Sequence, residues 1–154
     1  CRYDKKQYAR REELFPETDI LPRFELKTLK AVQTIAGETD DRFKTWFDAL
    51  EWMYQEALKI DFDVAIVGCG AYGFPLAAKL KQAGKQAIHL AGATQLLFGI
   101  KGKRWEENEA FEYVRKFLMM LGHIPSKMIR RSKHRKWKAV VIGKIIVCVR
   151  EVKD

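Results

Sequence analysis

Residues Asp61 to Trp105 read DFDVAIVGCGAYGFPLAAKLKQAGKQAIHLAGATQLLFGIKGKRW. Phe62 to Val67 is a short apolar run of strand-forming residues. It ends in Gly68-Cys69-Gly70-Ala71-Tyr72-Gly73, a complete G-x-G-x-x-G. Phe74, Leu76, Ala77, Leu80 and Ala83 then recur at helical spacing. Pro75 suits a first helical turn, where its missing N–H is no loss, and Gly84 suits the helix stop. A second strand is expected over Gln86 to Leu90. The stretch therefore reads as a βαβ unit with a glycine turn at its anion-binding corner.

The chemistry of that corner follows from the backbone. A helix N-terminus carries unpaired N–H groups and a partial positive charge, and glycines let the chain approach a ligand and adopt positive φ. A phosphate or diphosphate is the expected occupant. A dinucleotide site also expects an acidic residue about 20 positions on, at the end of the second strand. Here that position reads Ile88-His89-Leu90-Ala91-Gly92, and no Asp or Glu occurs between Asp63 and Glu106. Lys79, Lys81, Lys85, Lys101, Lys103 and Arg104 occupy the stretch instead, which looks built to tolerate an anion. An NADP site would need an Arg near the second strand's end, and none is there.

Upstream, Phe24 to Ile35 mixes strand and helix signals, with Thr28, Val32, Thr34 and Ile35 favouring some strand. Asp40-Asp41 is expected to cap an amphipathic helix over Arg42 to Lys59. Phe43, Trp46, Phe47, Leu50, Met53, Tyr54, Ala57 and Leu58 would line its packed face. Lys5 to Leu14 reads as a charged helix, broken by Phe15-Pro16 and Pro22. Downstream, Ala93 to Phe98 suits a short helix. Gly99 to Trp105 forms a glycine-interrupted basic loop after a strand's carboxyl end, where open α/β sheets bind ligands.

The chain's 154 residues suit one domain with a real core. Cys1, Cys69 and Cys148 are odd in number and widely spaced, so they outline neither a disulfide framework nor a metal motif. Reduced thiols are expected, and with no secretory signal or spanning apolar run, a cytoplasmic location. Because the chain opens on Cys1 within a charged pattern, an N-terminally truncated fragment is expected. The net charge of +9 is unevenly spread. Residues 1–117 hold 19 basic and 18 acidic side chains, whereas residues 118–154 hold 10 and 2, so the excess lies in the tail rather than in the βαβ unit.

Gly68 to Gly73, taken with His89-Leu90-Ala91-Gly92-Ala93-Thr94-Gln95-Leu96-Leu97-Phe98-Gly99-Ile100-Lys101-Gly102-Lys103-Arg104-Trp105, resembles the bacterial GT-D fold glycosyltransferases and their uncharacterised relatives in surface-polysaccharide contexts. The resemblance covers most of Lys5 to Trp105, and A-T-Q-L-L-F-G-I-K-G-K-R-W is its most specific part. It implies a Rossmann-like parallel sheet flanked by helices in three layers. It also implies a nucleotide-sugar donor such as a UDP-sugar, a divalent Mn or Mg ion, a glycan acceptor and, at most, peripheral membrane association. Two departures stand out. Such relatives carry a glycine pair after His-Leu, whereas this chain has Ala91 first; if that position needs positive φ, the Ala costs about 1 kcal/mol. No match to the acidic metal motif of the characterised members is present, so no metal ligand is identified, and that motif is expected in a missing N-terminal part. Residues 1–117 are thus expected to form a partial domain of this kind.

The relatives continue with F-N-x-x-W-x-x-P and finish near G-G-C-Y-W, and this chain has neither. Codons for Leu118-Met119-Met120-Leu121-Gly122 written TTA ATG ATG CTT GGG contain AAT GAT GCT TGG, or N-D-A-W. The same offset at Lys136 to Lys144 permits V-E-G-G-C-Y-W followed by a stop. Residues 118–154 are therefore expected to be a frameshifted translation, with the last ten residues, 145–154, read past the stop. The alternative is a genuine strand pair, Ala139–Ile142 and Ile145–Val149, preceded by a basic nucleic-acid-binding segment.

On the resemblance, Gly68, Gly70 and Gly73 shape the turn near the diphosphate, with Tyr72 and Gly92 beside it. Thr94 and Gln95 offer hydrogen bonds, and Lys101, Lys103 and Arg104 neutralise diphosphate charge as it leaves. Trp105 stacks on a base or sugar, or else anchors in the core. His89 at a strand's end is the catalytic candidate, set against the more frequent packed strand histidine. Asp61 and Asp63 lie at the strand's other end and read as solvated. Two other readings stay open: a nicotinamide- or flavin-binding Rossmann domain, supported by the glycines, and a nucleic-acid-binding module, supported by the tail alone.

Overall fold

A computed structural model describes residues 8–14, 21–32, 40–98, 100–101, 112, 129–130 and 145–151. The chain divides into two compact units, Arg23–Thr94 with Val141–Asp154, and Arg2–Pro22 with Gln95–Val140. Its strands are β1 (Phe24–Lys30), β2 (Val64–Gly68), β3 (Gln86–His89), β4 (Ile100–Lys101), β5 (Ile129–Arg130) and β6 (Ile145–Glu151). Its helices are α1 (Arg11–Leu14), α2 (Trp46–Leu58), α3 (Gly73–Gln82) and α4 (Ala93–Leu97), with a 3-10 turn at Gly70–Tyr72 before α3. The class is α/β.

In the first unit the sheet order is β1-β6-β2-β3. The expected strand-helix-strand unit forms, and β2 pairs in parallel with β3, Ala65 opposite Ala87 and Val67 opposite His89. The Leu90 N–H extends the ladder by donating to the Val67 carbonyl at 3.1 Å. The expectation of a parallel sheet fails at β6, which runs antiparallel to both β1 and β2. Because both flank β6 in that sense, β1 and β2 point the same way. The tail thus supplies an internal strand of this sheet. Of the strand pair weighed for it, the second member forms as Ile145–Glu151, and the first lies outside the described residues.

Burial alternates along β2: Ala65 and Val67 are wholly buried, while Val64 and Ile66 are only partly covered. Period-two geometry puts Ala65, Val67, Ala87 and His89 on one face. That face carries α2 and α3, whose Ala49, Leu50, Met53, Ala57, Leu76, Ala77 and Leu80 join Ala65 and Val67 in the core. The opposite face includes Ile88, which is 49% exposed. Among the described residues, helices therefore cover one face of the sheet.

The helix ends depart from expectation in instructive ways. Helix α2 begins at Trp46, not Arg42. Thr45 is its cap: the Asp48 N–H donates to Thr45 Oγ1 at 3.1 Å, and the Thr45 N–H donates to the Asp48 carboxylate at 2.9 Å. This reciprocal box satisfies two end donors at once, a closure Asp40-Asp41 does not supply. Asp40 instead accepts from the Arg42 guanidinium, at 2.8 Å and 2.7 Å. Phe47, expected on the packed face, is 73% exposed, and the side of the helix carrying Leu50, Met53 and Ala57 faces the sheet.

Helix α3 ends as read. Gly84 has φ of +79°. The Lys85 N–H donates to the Leu80 carbonyl at 3.0 Å and the Gly84 N–H to the Lys81 carbonyl at 3.0 Å, the paired bonds of a Schellman stop. Two residues of its expected apolar repeat miss the core: Phe74 is 74% exposed, and Ala83 is exposed. Trp46 stacks on Tyr72 with ring centroids 4.8 Å apart, and Lys79 reaches Glu51 at 2.7 Å. Each contact joins like positions of α2 and α3, so the two helices run side by side in the same direction. Their N-termini consequently stand together at the carboxyl edge of β2 and β3.

In the second unit, the described part of the expected Lys5–Leu14 helix is regular over Arg11–Leu14. Leu14 and Leu21 are buried, and the Tyr8 hydroxyl donates to the Pro22 carbonyl at 3.2 Å. Strands β4 and β5 pair in parallel, Ile100 opposite Ile129 and Lys101 opposite Arg130.

Candidate functional site

The three motif glycines have three different physical reasons. Gly70 holds φ at +60°, and a Cβ there would meet nothing within 4 Å. It is glycine for its conformation, and the space beside it is open. Gly68 is glycine for proximity: an added Cβ would lie 2.7 Å from Thr94 Oγ1 and 3.0 Å from the Ala91 carbonyl oxygen. At Gly73 an added Cβ would overlap the His89 imidazole at Cε1 and Nδ1. The third glycine thus lets the start of α3 sit against the end of β3, the packing role such a position has in nucleotide-binding turns.

Two polar atoms at this edge are buried without a hydrogen-bond partner, His89 Nδ1 and Thr94 Oγ1. Thr94 is 5% exposed. An unpaired buried hydroxyl costs about 1–3 kcal/mol, so its persistence marks a place for an acceptor or donor from elsewhere. Beside it, the N-terminus of α3 has no side-chain cap, and its first turn holds no acidic residue. The neighbouring terminus of α2 is closed by Thr45 and Asp48. Of two adjacent helix ends, one is sealed and carries a carboxylate. The other continues from the Gly70–Tyr72 turn, whose Gly70 carbonyl accepts the Gly73 N–H, and has a glycine with open space before it and an unpaired hydroxyl nearby.

Several expected participants are elsewhere. Tyr72 is buried at 4% exposure under Trp46, and belongs to the core rather than to a ligand surface. Lys79 and Lys81 lie in the last turn of α3, the end away from the glycines, where they complement the helix dipole. Lys79 is engaged by Glu51; Gln55, and after it Lys79, holds the Glu51 carboxyl below its ordinary range. Lys85 lies over the Phe62 ring at 5.4 Å, just before β3 begins. The acid-free run therefore does not translate into a ring of cations around the turn. Gln95, half-buried, and Lys101, on β4, belong to the second unit. Lys103, Arg104 and Trp105 lie outside the described residues. Asp61 and Asp63 are exposed, as expected for that end of β2.

Cys69, inside the motif, is buried at 5% exposure, and burial pushes its thiol up to about 12. It stays protonated near neutrality and is no nucleophile there. Among the described residues, no three His, Cys, Asp or Glu side chains gather to hold a metal ion. No step is assigned to the divalent ion the resemblance implies. Among the described residues, too, no helix is long and apolar enough to cross a membrane.

Between His89 and Thr94 the chain turns through Ala91 and the buried Gly92, closed by the Ala93 N–H donating to the Leu90 carbonyl at 2.9 Å. Ala91 has φ of 47°, the single positive value outside glycine among the described residues. The condition set from sequence is met: this position needs the left-handed region, and an alanine occupies it. Ala91→Gly is expected to stabilise the protein by about 1 kcal/mol. Urea unfolding checks it, as a higher midpoint at unchanged slope.

Compared with known proteins, the chain matches no family model, no curated protein and no solved structure.

Proposed function

We propose that this chain is the sheet-bearing part of a nucleotide-sugar-dependent glycosyltransferase of the GT-D type, transferring a hexose to a surface glycan or glycoconjugate. The observation that carries the reading is the contrast between the end of α2, sealed by a side-chain box with a carboxylate, and the glycine turn before α3, which has no side-chain cap and no acid, beside the unpartnered Thr94 hydroxyl. In such a transfer the sugar's anomeric carbon leaves the diphosphate, and negative charge grows on the departing oxygens. Amide donors of a glycine turn and a fixed hydroxyl stabilise that charge without reorganising. His89, at the end of β3, packs on Gly73, and no base's role is assigned to it.

The proposal extends to the frame of residues 118–154. If these are read out of frame, the strand separating β1 from β2 comes from the shifted frame. The original frame then supplies the native neighbours of two strands that already point the same way, as a three-layer Rossmann-like sheet requires. The gene's nucleotide sequence tests this: a well-supported uninterrupted frame without a homopolymer near the Phe117 codon would sink it.

A second reading, an NAD(P)- or flavin-binding domain, has one observation in its favour, the third glycine's packing against β3. It lacks an acid at the end of β3, where His89 stands. Thermal unfolding with UDP, UDP-glucose plus Mn²⁺, NAD and a short DNA separates the readings. UDP-glucose at about 100 times its Kd is expected to stabilise the fold by about 2.7 kcal/mol, and NAD to leave it unchanged. The reverse pattern defeats the proposal. Salt-dependent DNA binding that needs residues 118–154 would favour the nucleic-acid module.

A further inference from the structure

We infer that the exposed ring of Phe74 is the stacking platform for the nucleobase of the ligand whose diphosphate sits on the end of α3. The inference rests on the phosphate reading above and adds the part of the ligand that gives it a nucleotide's identity. Three large apolar residues are exposed among those described: Phe47, Phe74 and Ile88. Ile88 lies on the sheet face away from α3. Phe47 stands in the first turn of α2, whose terminus is closed by the Thr45–Asp48 box and carries a carboxylate. Only Phe74 adjoins a glycine turn with open space beside it, no side-chain cap and no carboxylate. It follows Gly73 directly and lies in the first turn of α3, while Leu76, Ala77 and Leu80 of the same helix are buried.

Side chains on a helix tilt toward its N-terminus. The ring of a first-turn residue is therefore carried over the turn that precedes it, here Gly70–Tyr72. Beneath that turn, Tyr72 is fixed by its stack on Trp46, so the backbone bearing the platform is held. Gly70 leaves the approach beside it open. A phosphate on the amides and a flat ring over the adjoining turn suit a nucleoside diphosphate. The aromatic face accepts any base, because every base has a π surface.

Titration calorimetry of the full chain with UDP and with inorganic pyrophosphate tests this, using the wild type, Phe74→Ala, Phe74→Trp and Phe47→Ala. Phe74→Ala is expected to weaken UDP binding roughly 5- to 150-fold, the range of base–aromatic stacking, and to leave pyrophosphate binding unchanged. Phe74→Trp should retain UDP, and Phe47→Ala should match the wild type for both ligands. Unchanged UDP affinity in Phe74→Ala overturns the inference while leaving the phosphate reading intact, and so does an equal loss for UDP and pyrophosphate. A shift from dimer to monomer in Phe74→Ala, with UDP affinity unchanged, would assign the ring to self-association instead. If neither ligand binds the wild type, the phosphate reading itself falls, and the inference with it.

Discussion

Gly73→Val is expected to lower the stability of the protein by about 3 kcal/mol and to abolish UDP binding. Even the first atom of a side chain at this position overlaps the His89 imidazole, and valine adds two branched methyls beyond it. Overpacking of this kind costs about 1–3 kcal/mol and occasionally more. Gly73 is the first residue of α3, and His89 closes β3. The clash is relieved by pushing the helix end off the strand or by turning out the ring. The first response displaces the turn amides that would hold a phosphate. In a domain stable by about 5–15 kcal/mol, the urea midpoint should fall clearly. His89→Ala, which removes the ring, should cost far less alone and should recover most of the loss in the double variant. Contacting residues couple by about 0.5–3 kcal/mol in such cycles. Additive losses in the cycle would mean that the glycine is needed for its backbone alone.

That contact also shows where a linear reading stops. The glycines and their spacing were legible, as were the strands on either side and the stop at Gly84, because each is a property of neighbouring residues. What Gly73 must avoid was not, since His89 reaches it only after β3 has paired with β2. The same limit misplaced Phe47 and Phe74. Helical periodicity fixes which residues share a stripe, not which edge of the stripe the sheet covers. Asp40-Asp41 is the louder capping signal in the sequence, yet Thr45 and Asp48 have the spacing that lets each bond the other's backbone. The lysines misled for a geometric reason: an acid-free run of sequence looks like one basic patch. Folding sends Lys79 and Lys81 to one end of α3 and the glycine turn to the other. The position of β6 between β1 and β2 is a pairing across nearly the whole chain, beyond what composition or propensity carries. Ala91 was different. Its strain was readable only as a condition, and the backbone supplied the value of φ.

Thr94→Val should separate stability from binding, moving them in opposite directions. The substitution keeps the shape of the side chain and replaces the hydroxyl with a methyl. That hydroxyl is buried without a partner in the protein, so its removal relieves a desolvation cost. The variant is expected to unfold at higher urea, by about 1 kcal/mol. With ligand present the balance reverses. A hydrogen bond from Oγ1 to a phosphate oxygen is charge-assisted and worth about 1.5–3 kcal/mol, so UDP affinity should fall roughly 10- to 100-fold. Thr94→Ser, which keeps the donor, should bind within a few-fold of the wild type. A hydroxyl with a merely structural role gives another pattern: Thr94→Val destabilised, and binding lost only in proportion to unfolding. The sign of the stability change therefore tells whether the Thr94 hydroxyl supports the turn, and the UDP affinity of Thr94→Val against Thr94→Ser tells whether it meets a ligand.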